Sequence, residues 1–252
     1  MNLGIKNKKV LITGASQNIG KSIAIAIARE AGDVAICARN KEKLNNVVLA
    51  MKEYGGEYHS FSIDLKSKKG PSKLLSDLKL KNFIPDIVIH NLGGSLQITN
   101  NDFTREEFSE VWHFNIGIAH EINQGLIPNM IEKEWGRVIH LSSLATKTAN
   151  GYVPYVSAKF ALEGYVKSMS KLISSKNVIM SAIAPGLVEL PNRFYTKMKY
   201  ENPEEINKFY DEHLPIRDMI KPEDIAEVVC FLCSKHSKYM PGAIVPIDGG
   251  GS

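Results

Sequence analysis

The sequence predicts an α/β fold: one doubly wound parallel β-sheet with helices on both faces. Three observations predict it. Short runs rich in Val and Ile recur along the chain, each followed by a longer helix-compatible stretch, which is the alternation of a parallel sheet. The first run enters a helix through a glycine-bearing turn, Thr13-Gly14-Ala15-Ser16-Gln17-Asn18-Ile19-Gly20. Polar residues, among them Arg39, Asp64 and Asn91, fall at the ends of strand runs, where open α/β sheets hold their ligands.

The elements follow in order. Lys8–Gly14 reads as a short buried strand and Ala15–Ala28, dense in Ala and Ile, as a helix packed on the sheet. A strand, a Gly turn and a helix N-terminus together make an anion site, because backbone N–H groups and the helix dipole face the ligand. Asn18 stands where a Gly is expected, and Asn is among the residues that best tolerate positive φ. Asp33–Asn40 is the second strand. Its end carries Ala38 and Arg39 and no acid, so it suits a ribose 2′-phosphate better than a 2′-hydroxyl and favours NADP(H) over NAD(H). An exposed helix runs from Lys41 to Tyr54, a third strand from His59 to Asp64-Leu65, a helix from Gly70 to Leu80, and a fourth strand from Pro85 to His90 before Asn91-Leu92-Gly93-Gly94.

Thr104 with Glu107 has capping-box spacing and opens a long helix toward Pro128, within which Asn115 needs a partner. Gly136 to Ser142-Ser143 is a fifth strand, Tyr155–Ser174 a helix, Val178–Ala184 a sixth strand before Pro185-Gly186-Leu187-Val188, Pro222–Ser234 a helix, and Gly242–Ile247 a last strand. Between them, 187–215 is irregular, holds Pro191, Pro203 and Pro215 and is bulky in aromatics. It is either a substrate lid or a small helical insertion. With no linker or repeat, residues 1–252 read as one domain.

Composition excludes several classes. The chain is 44% hydrophobic and 23% charged, an ordinary globular balance, and its net charge of +4 is spread over scattered lysines. That is no nucleic-acid footprint. No apolar run of membrane-spanning length occurs and the first nine residues are polar and basic, so a cytoplasmic protein is expected. Three cysteines argue against a disulfide framework. Cys230 and Cys233 form a C-x-x-C inside an apolar helical run, and His236 leaves that set short of a fourth ligand. Buried packing, with no metal, is the expectation.

Tyr155 and Lys159 are four residues apart in a helical run, so they share one face. A phenol titrates at about 10 and is a poor acid or base at neutral pH. An ammonium beside it favours the phenolate, and the pair becomes a candidate proton donor and acceptor for carbonyl and alcohol chemistry.

Taken together these residues resemble the short-chain dehydrogenase/reductase family over nearly the whole chain. Thr13 to Gly20 is similar to the family's T-G-x-x-x-G-x-G, with Asn18 departing. His90-Asn91-Leu92-Gly93 is similar to N-N-A-G, with His90 and Leu92 departing. Asn115, Ser143, Tyr155 and Lys159 match the catalytic tetrad, with Ser142 a second candidate by spacing, and Pro185-Gly186 matches the P-G motif. A Thr usually found soon afterwards is replaced by Glu189 or Leu190.

The resemblance implies a Rossmann-type fold and a cofactor held by Gly14, Ser16, Asn18, Ile19, Gly20, Arg39, Asp64, Leu65, Asn91, Gly93, Tyr155, Lys159, Pro185, Gly186 and Val188. It implies that Tyr155 gives a proton to a carbonyl oxygen, that Lys159 lowers the Tyr155 pKa and binds the nicotinamide ribose, that Ser143 orients the substrate oxygen, and that Asn115 holds a water linking Lys159 to solvent. It implies a homodimer or homotetramer.

The function so implied is NADP(H)-dependent reduction of a ketone to an alcohol, or the reverse, on a small-molecule substrate such as a 3-oxoacyl thioester or a keto-sugar. Arg193, Lys197 and Lys199 are either an attraction for an anionic substrate or simply a solvated surface. The alternatives are a non-catalytic dinucleotide-binding sensor or scaffold, and a nucleotide-sugar-modifying enzyme on the same fold.

Overall fold

Seven parallel strands form one sheet in the order β3-β2-β1-β4-β5-β6-β7. They are β1 (Lys9–Thr13), β2 (Asp33–Ala38), β3 (Tyr58–Ser62), β4 (Ile87–His90), β5 (Gly136–Leu141), β6 (Val178–Pro185) and β7 (Ile244–Ile247). The computed structural model describes residues 1–100 and 102–252.

The central strands are buried on both faces, so they read as continuous apolar runs. Side chains alternate between two cores. Val10 and Ile12 of β1, Ile87 and Ile89 of β4 and Ile139 of β5 face one core. That core is completed by Ile23 and Ile27 of α1 (Asn18–Arg29), Leu44 of α2 (Lys41–Met51) and Val229 of α10 (Pro222–Cys233). Leu11, Val88 and Val138 face the other core, against Leu74 of α3 (Gly70–Leu80), Ile122 of α5 (Ile118–Glu132) and Val166 of α7 (Val153–Ile173). Cys230 and Cys233 are fully packed into the first core as free thiols. Among the described residues no group of three or more His, Cys, Asp or Glu is placed to hold a metal ion, and no helix is long and apolar enough to cross a membrane.

The strand order reverses between β1 and β4, and the crevice there is the ligand position of this architecture. Several expected boundaries move, three of them at strands β3, β5 and β7. β3 stops at Ser62, because Asp64 turns the chain: its carboxylate accepts from Lys66 N at 3.0 Å and its carbonyl from Ser67 N at 3.2 Å. β5 stops at Leu141, so both serines lie past the strand, and a four-residue helix α6 (Ala145–Thr148) follows them. β7 starts at Ile244, since Gly242 sits at φ +74°.

The expected single helix from Thr104 is two helices, α4 (Arg105–Trp112) and α5, joined by a π-helical turn over His113–Gly117. The capping box of Thr104 and Glu107 is formed, and Pro128 lies inside α5. Residues 187–215 contain α8 (Phe194–Glu201) and α9 (Pro203–His213). Ile206 and Tyr210 of α9 join Leu214 and Met219, after that helix, in a small core against which Tyr195 and Met198 of α8 pack.

Candidate active site

The turn after β1 is closed by side-chain-free backbone. Gly14 has φ +69°, and a Cβ on Gly20 would lie 2.5 Å from Gly14 O and 2.6 Å from Asn91 Nδ2. Asn18 takes φ +53°, the conformation that a Gly would otherwise supply. Asn91, just past β4, donates from Nδ2 to Gly14 O at 2.8 Å and ties the two strand ends across the switch point.

A groove of about 410 Å³ opens there, lined by Gly14, Ser16, Arg39, Asp64 and Leu65. Gln17, Asn40 and Lys43 line it too, and sequence reasoning missed them. Asn40 caps α2 by accepting from Lys43 N at 2.9 Å, and Lys43 Nζ donates to Gln17 Oε1 at 2.6 Å. Arg39 and Lys43 therefore set two cations beside a helix N-terminus, an arrangement that attracts a phosphate. The signal for Lys43 was its place in the first helical turn after Arg39. Asn18 instead lines a separate surface groove with Lys21 and Glu223. Ile19 and Val188 line neither this groove nor the cavity described next; Val188 bridges to Ile220.

A second cavity, about 790 Å³, lies at the carboxyl ends of β5 and β6. Ser143, Tyr155, Pro185 and Gly186 line it. Ser143 rather than Ser142 faces it: Ser142 is buried and donates to Glu163 at 2.7 Å. The outer wall comes from Leu187, Tyr195, Phe209, Glu212 and His213 of the 187–215 segment, together with Asn150 and Tyr152. Neither Lys nor Arg is among the lining residues. Lys199 is committed elsewhere, to Glu189 at 2.7 Å and Asp218 at 3.0 Å. Glu189, one of the two candidates for the place of the expected Thr, also accepts from Tyr200 at 2.5 Å.

Lys159 is buried on α7 and donates from Nζ to Leu141 O at 2.7 Å. Burial pushes its pKa down to about 8, with Glu163 acting against that fall. Its Nζ is 5.6 Å from the centre of the Tyr155 ring. The Tyr155 phenol is raised above 10 by burial, and hydrogen bonding from Ser143 opposes the rise. Burial thus sets the direction for Tyr155, and the group that opposes it is Ser143.

Asn115 sits in the π-helical turn, where such turns often mark functional sites. Its amide donates to Gly94 O and to Val111 O, each at 2.8 Å, and its Oδ1 accepts from Gly94 N at 3.0 Å. Behind Lys159 lie two further buried side chains. His90 stacks on His140 at 4.7 Å between ring centres and bonds Asn123 at 2.9 Å. Burial holds His90 down to about 4 and His140 well below the usual imidazole value.

Comparison with known proteins gives a concordant result. A family model described as Enoyl-(Acyl carrier protein) reductase matches residues 14–252. The 3-oxoacyl-(acyl-carrier-protein) reductase FabG of Aquifex aeolicus is 30% identical over 253 residues, 99% of either chain. The 7alpha-hydroxysteroid dehydrogenase of Escherichia coli K12 is 29% identical over 251 residues, covering 99% of this chain and 96% of that one. A solved 7α-hydroxysteroid dehydrogenase complexed with NADH and 7-oxo glycochenodeoxycholic acid superposes with a TM-score of 0.89 at 29% identity, covering 99% of this chain and 96% of that one. The L-sorbose reductase of Gluconobacter frateurii, complexed with NADPH and L-sorbose, superposes with a TM-score of 0.92 at 26% identity, covering 100% of this chain and 98% of that one. The switch-point crevice, the Ser143–Tyr155–Lys159 cluster and these matches agree: the chain belongs to the short-chain dehydrogenase/reductase family.

Proposed function

We propose that the chain is an NADPH-dependent reductase of a neutral, hydroxylated ketone, with Tyr155 as the proton donor. One observation carries the substrate class. The cavity that Ser143 and Tyr155 face is lined by Tyr152, Tyr195 and Phe209, by Leu144, Leu187 and Leu214, and by Asn150, Glu212 and His213, with no Lys or Arg. Rings and a carboxylate suit a polyol, whose C–H faces stack and whose hydroxyls donate; the phosphate of an acyl-carrier thioester would find no Lys or Arg in this lining to pair with. L-Sorbose, the ligand named in the Gluconobacter structure, is a ketone of this class.

The residues fit a dinucleotide. The glycine cradle leaves backbone exposed at the turn, and Arg39 and Lys43 stand at the groove where a 2′-phosphate would be read. When bound, the cofactor supplies the hydride. Ser143 donates to the ketone oxygen and orients it. Tyr155, kept protonated by its burial, gives its proton to that oxygen as charge develops. Lys159 supplies the cation that stabilises the phenolate left behind. Asn115 holds Gly94, and with it the strand-end loop, against this cluster.

Residues 1–252 act as one domain in this reading, and 187–215 is a lid whose two helices pack on a small core apart from the two sheet cores. Exposed Trp112, Val153 and Phe160 on α4 and α7 provide a surface for self-association, and the working location is the cytoplasm.

The test is reduced-cofactor oxidation over a panel of L-sorbose, D-fructose, an acetoacetyl thioester, a crotonyl thioester and a 7-oxo steroid, each with NADPH and NADH. Ketose reduction at least about tenfold faster with NADPH than with NADH, and loss of that preference in the variant R39A/K43A, is the expected result. Turnover confined to a thioester or the steroid would overturn the substrate class, and preference for NADH would overturn the cofactor.

A further inference from the structure

Glu163 is buried on α7, one turn beyond Lys159 and two beyond Tyr155, so all three fall along one stripe of the helix. A buried carboxylate is costly unless it is bonded. Glu163 Oε1 accepts from Ser142 Oγ at 2.7 Å. Thr146 Oγ1 stands 2.7 Å from the same oxygen and 2.8 Å from Ser143 O, with one proton to share between them. These hydroxyls flank Ser143 on either side. The carboxylate thereby clamps the loop that carries Ser143 onto the helix that carries Tyr155 and Lys159. It is also the negative charge acting on Lys159, holding its proton on against burial. The other titratable groups around that ammonium are Tyr155 on its own helix and His140 on β5, with His90 stacked behind on β4.

We propose that Glu163 is a positioning residue for the reaction: it fixes Ser143 relative to Tyr155 through Ser142 and Thr146, and it sets its carboxylate one helical turn from the Lys159 ammonium. The inference rests on the reading of Ser143, Tyr155 and Lys159 as the reacting cluster. Clamp and charge make different demands, so they separate experimentally. Glu163→Gln keeps an acceptor and removes the charge. The pair S142A/T146V keeps the charge and removes the clamp. Glu163→Asp keeps the charge and shortens the reach.

The experiment measures kcat, KM and the pH profile with the fastest ketone of the panel, together with the NMR titration of ¹³C-labelled Lys159, assigned by loss of its signal in Lys159→Arg. Glu163→Gln is expected to lower kcat by about tenfold, the barrier equivalent of one charge-assisted hydrogen bond, with KM for NADPH unchanged. Its Lys159 titration and the alkaline limb of kcat move to lower pH. S142A/T146V and Glu163→Asp lower kcat while leaving both midpoints in place. A merely structural role would move stability and neither midpoint. If Glu163→Gln does not fold by circular dichroism, Glu163→Asp and S142A/T146V carry the decision on the clamp. Wild-type kcat in them, or an unmoved Lys159 midpoint in a folded Glu163→Gln, overturns the proposal. Tyr155→Phe is the separate control: full turnover there would sink the reading of the cluster, whatever Glu163 does.

Discussion

A Cβ on Gly93 would stand 3.0 Å from Lys159 Nζ and 2.8 Å from Asn115 Oδ1, so the loop after β4 closes directly on two polar groups of the site. Neither group is free to retreat. Lys159 Nζ is held by Leu141 O, and Asn115 is held by three bonds to the backbone of Gly94 and Val111. Gly93→Ala must therefore displace the ammonium or break the Asn115 bonds. We expect kcat to fall by about tenfold or more, since misplacement near the chemistry is expensive, while circular dichroism stays native. A Gly93→Ala enzyme with unchanged kcat would show that the position of Lys159 is not limiting.

The same burial that positions Lys159 sets a pH dependence. Its pKa is pushed down to about 8 and the phenol of Tyr155 is raised. As pH climbs through about 8 the ammonium loses its proton, and no cation remains beside the phenolate formed on reduction. Reduction should hold level through neutral pH and decline above about 8. For stability the sign runs the other way. An unfolded lysine titrates near 10.5, so the unfolded state binds more protons between the two values. Folding is penalised below the folded value and recovers as pH rises toward the unfolded one. Lys159→Met should accordingly raise the melting temperature at pH 7 while abolishing turnover, a trade expected of a site built on an unfavourable buried charge. A Lys159→Met variant less stable than wild type would contradict this account.

The sheet was legible because its signals are local and repeated. β1, β2, β4, β5 and β6 are apolar runs bounded by turns, and the two cores follow from their alternation. Tyr155 and Lys159 could be paired by helical spacing alone. What stayed hidden depends on contacts far apart in sequence. The π-helical turn at Asn115 follows a capping box that reads as one continuous helix, and only the loop of Gly94 gives the amide its reason to be there. Glu163 looks like any exposed Glu of a helix until Ser142 and Thr146 arrive on it. Lys43 acquires meaning once α2 places it against Gln17. The raised Tyr155 phenol is not legible from its spacing to Lys159, because desolvation is a property of the whole site.

His90 and His140 give the last prediction. Both are buried and stacked face to face, and neither ring nitrogen of His140 has a hydrogen-bond partner among the described residues. Protonating either would place a cation in a site that already holds Lys159. His90 is accordingly held down to about 4 from 6.5, by burial, against the opposing bond to Asn123. The folded-state value lies below the unfolded one, so the unfolded chain takes up protons first. The stability contributed is full above about 6.5 and is lost as pH falls toward about 4. A gap of that size amounts to about 3 kcal/mol for His90 alone, with His140 adding in the same direction. Urea midpoints measured from about pH 7.5 to about pH 5 should fall steeply in the wild type. In His90→Asn, whose amide can still meet Asn123 but cannot titrate, the slope should be visibly shallower. Equal slopes in the two proteins would place the acid sensitivity in some other group.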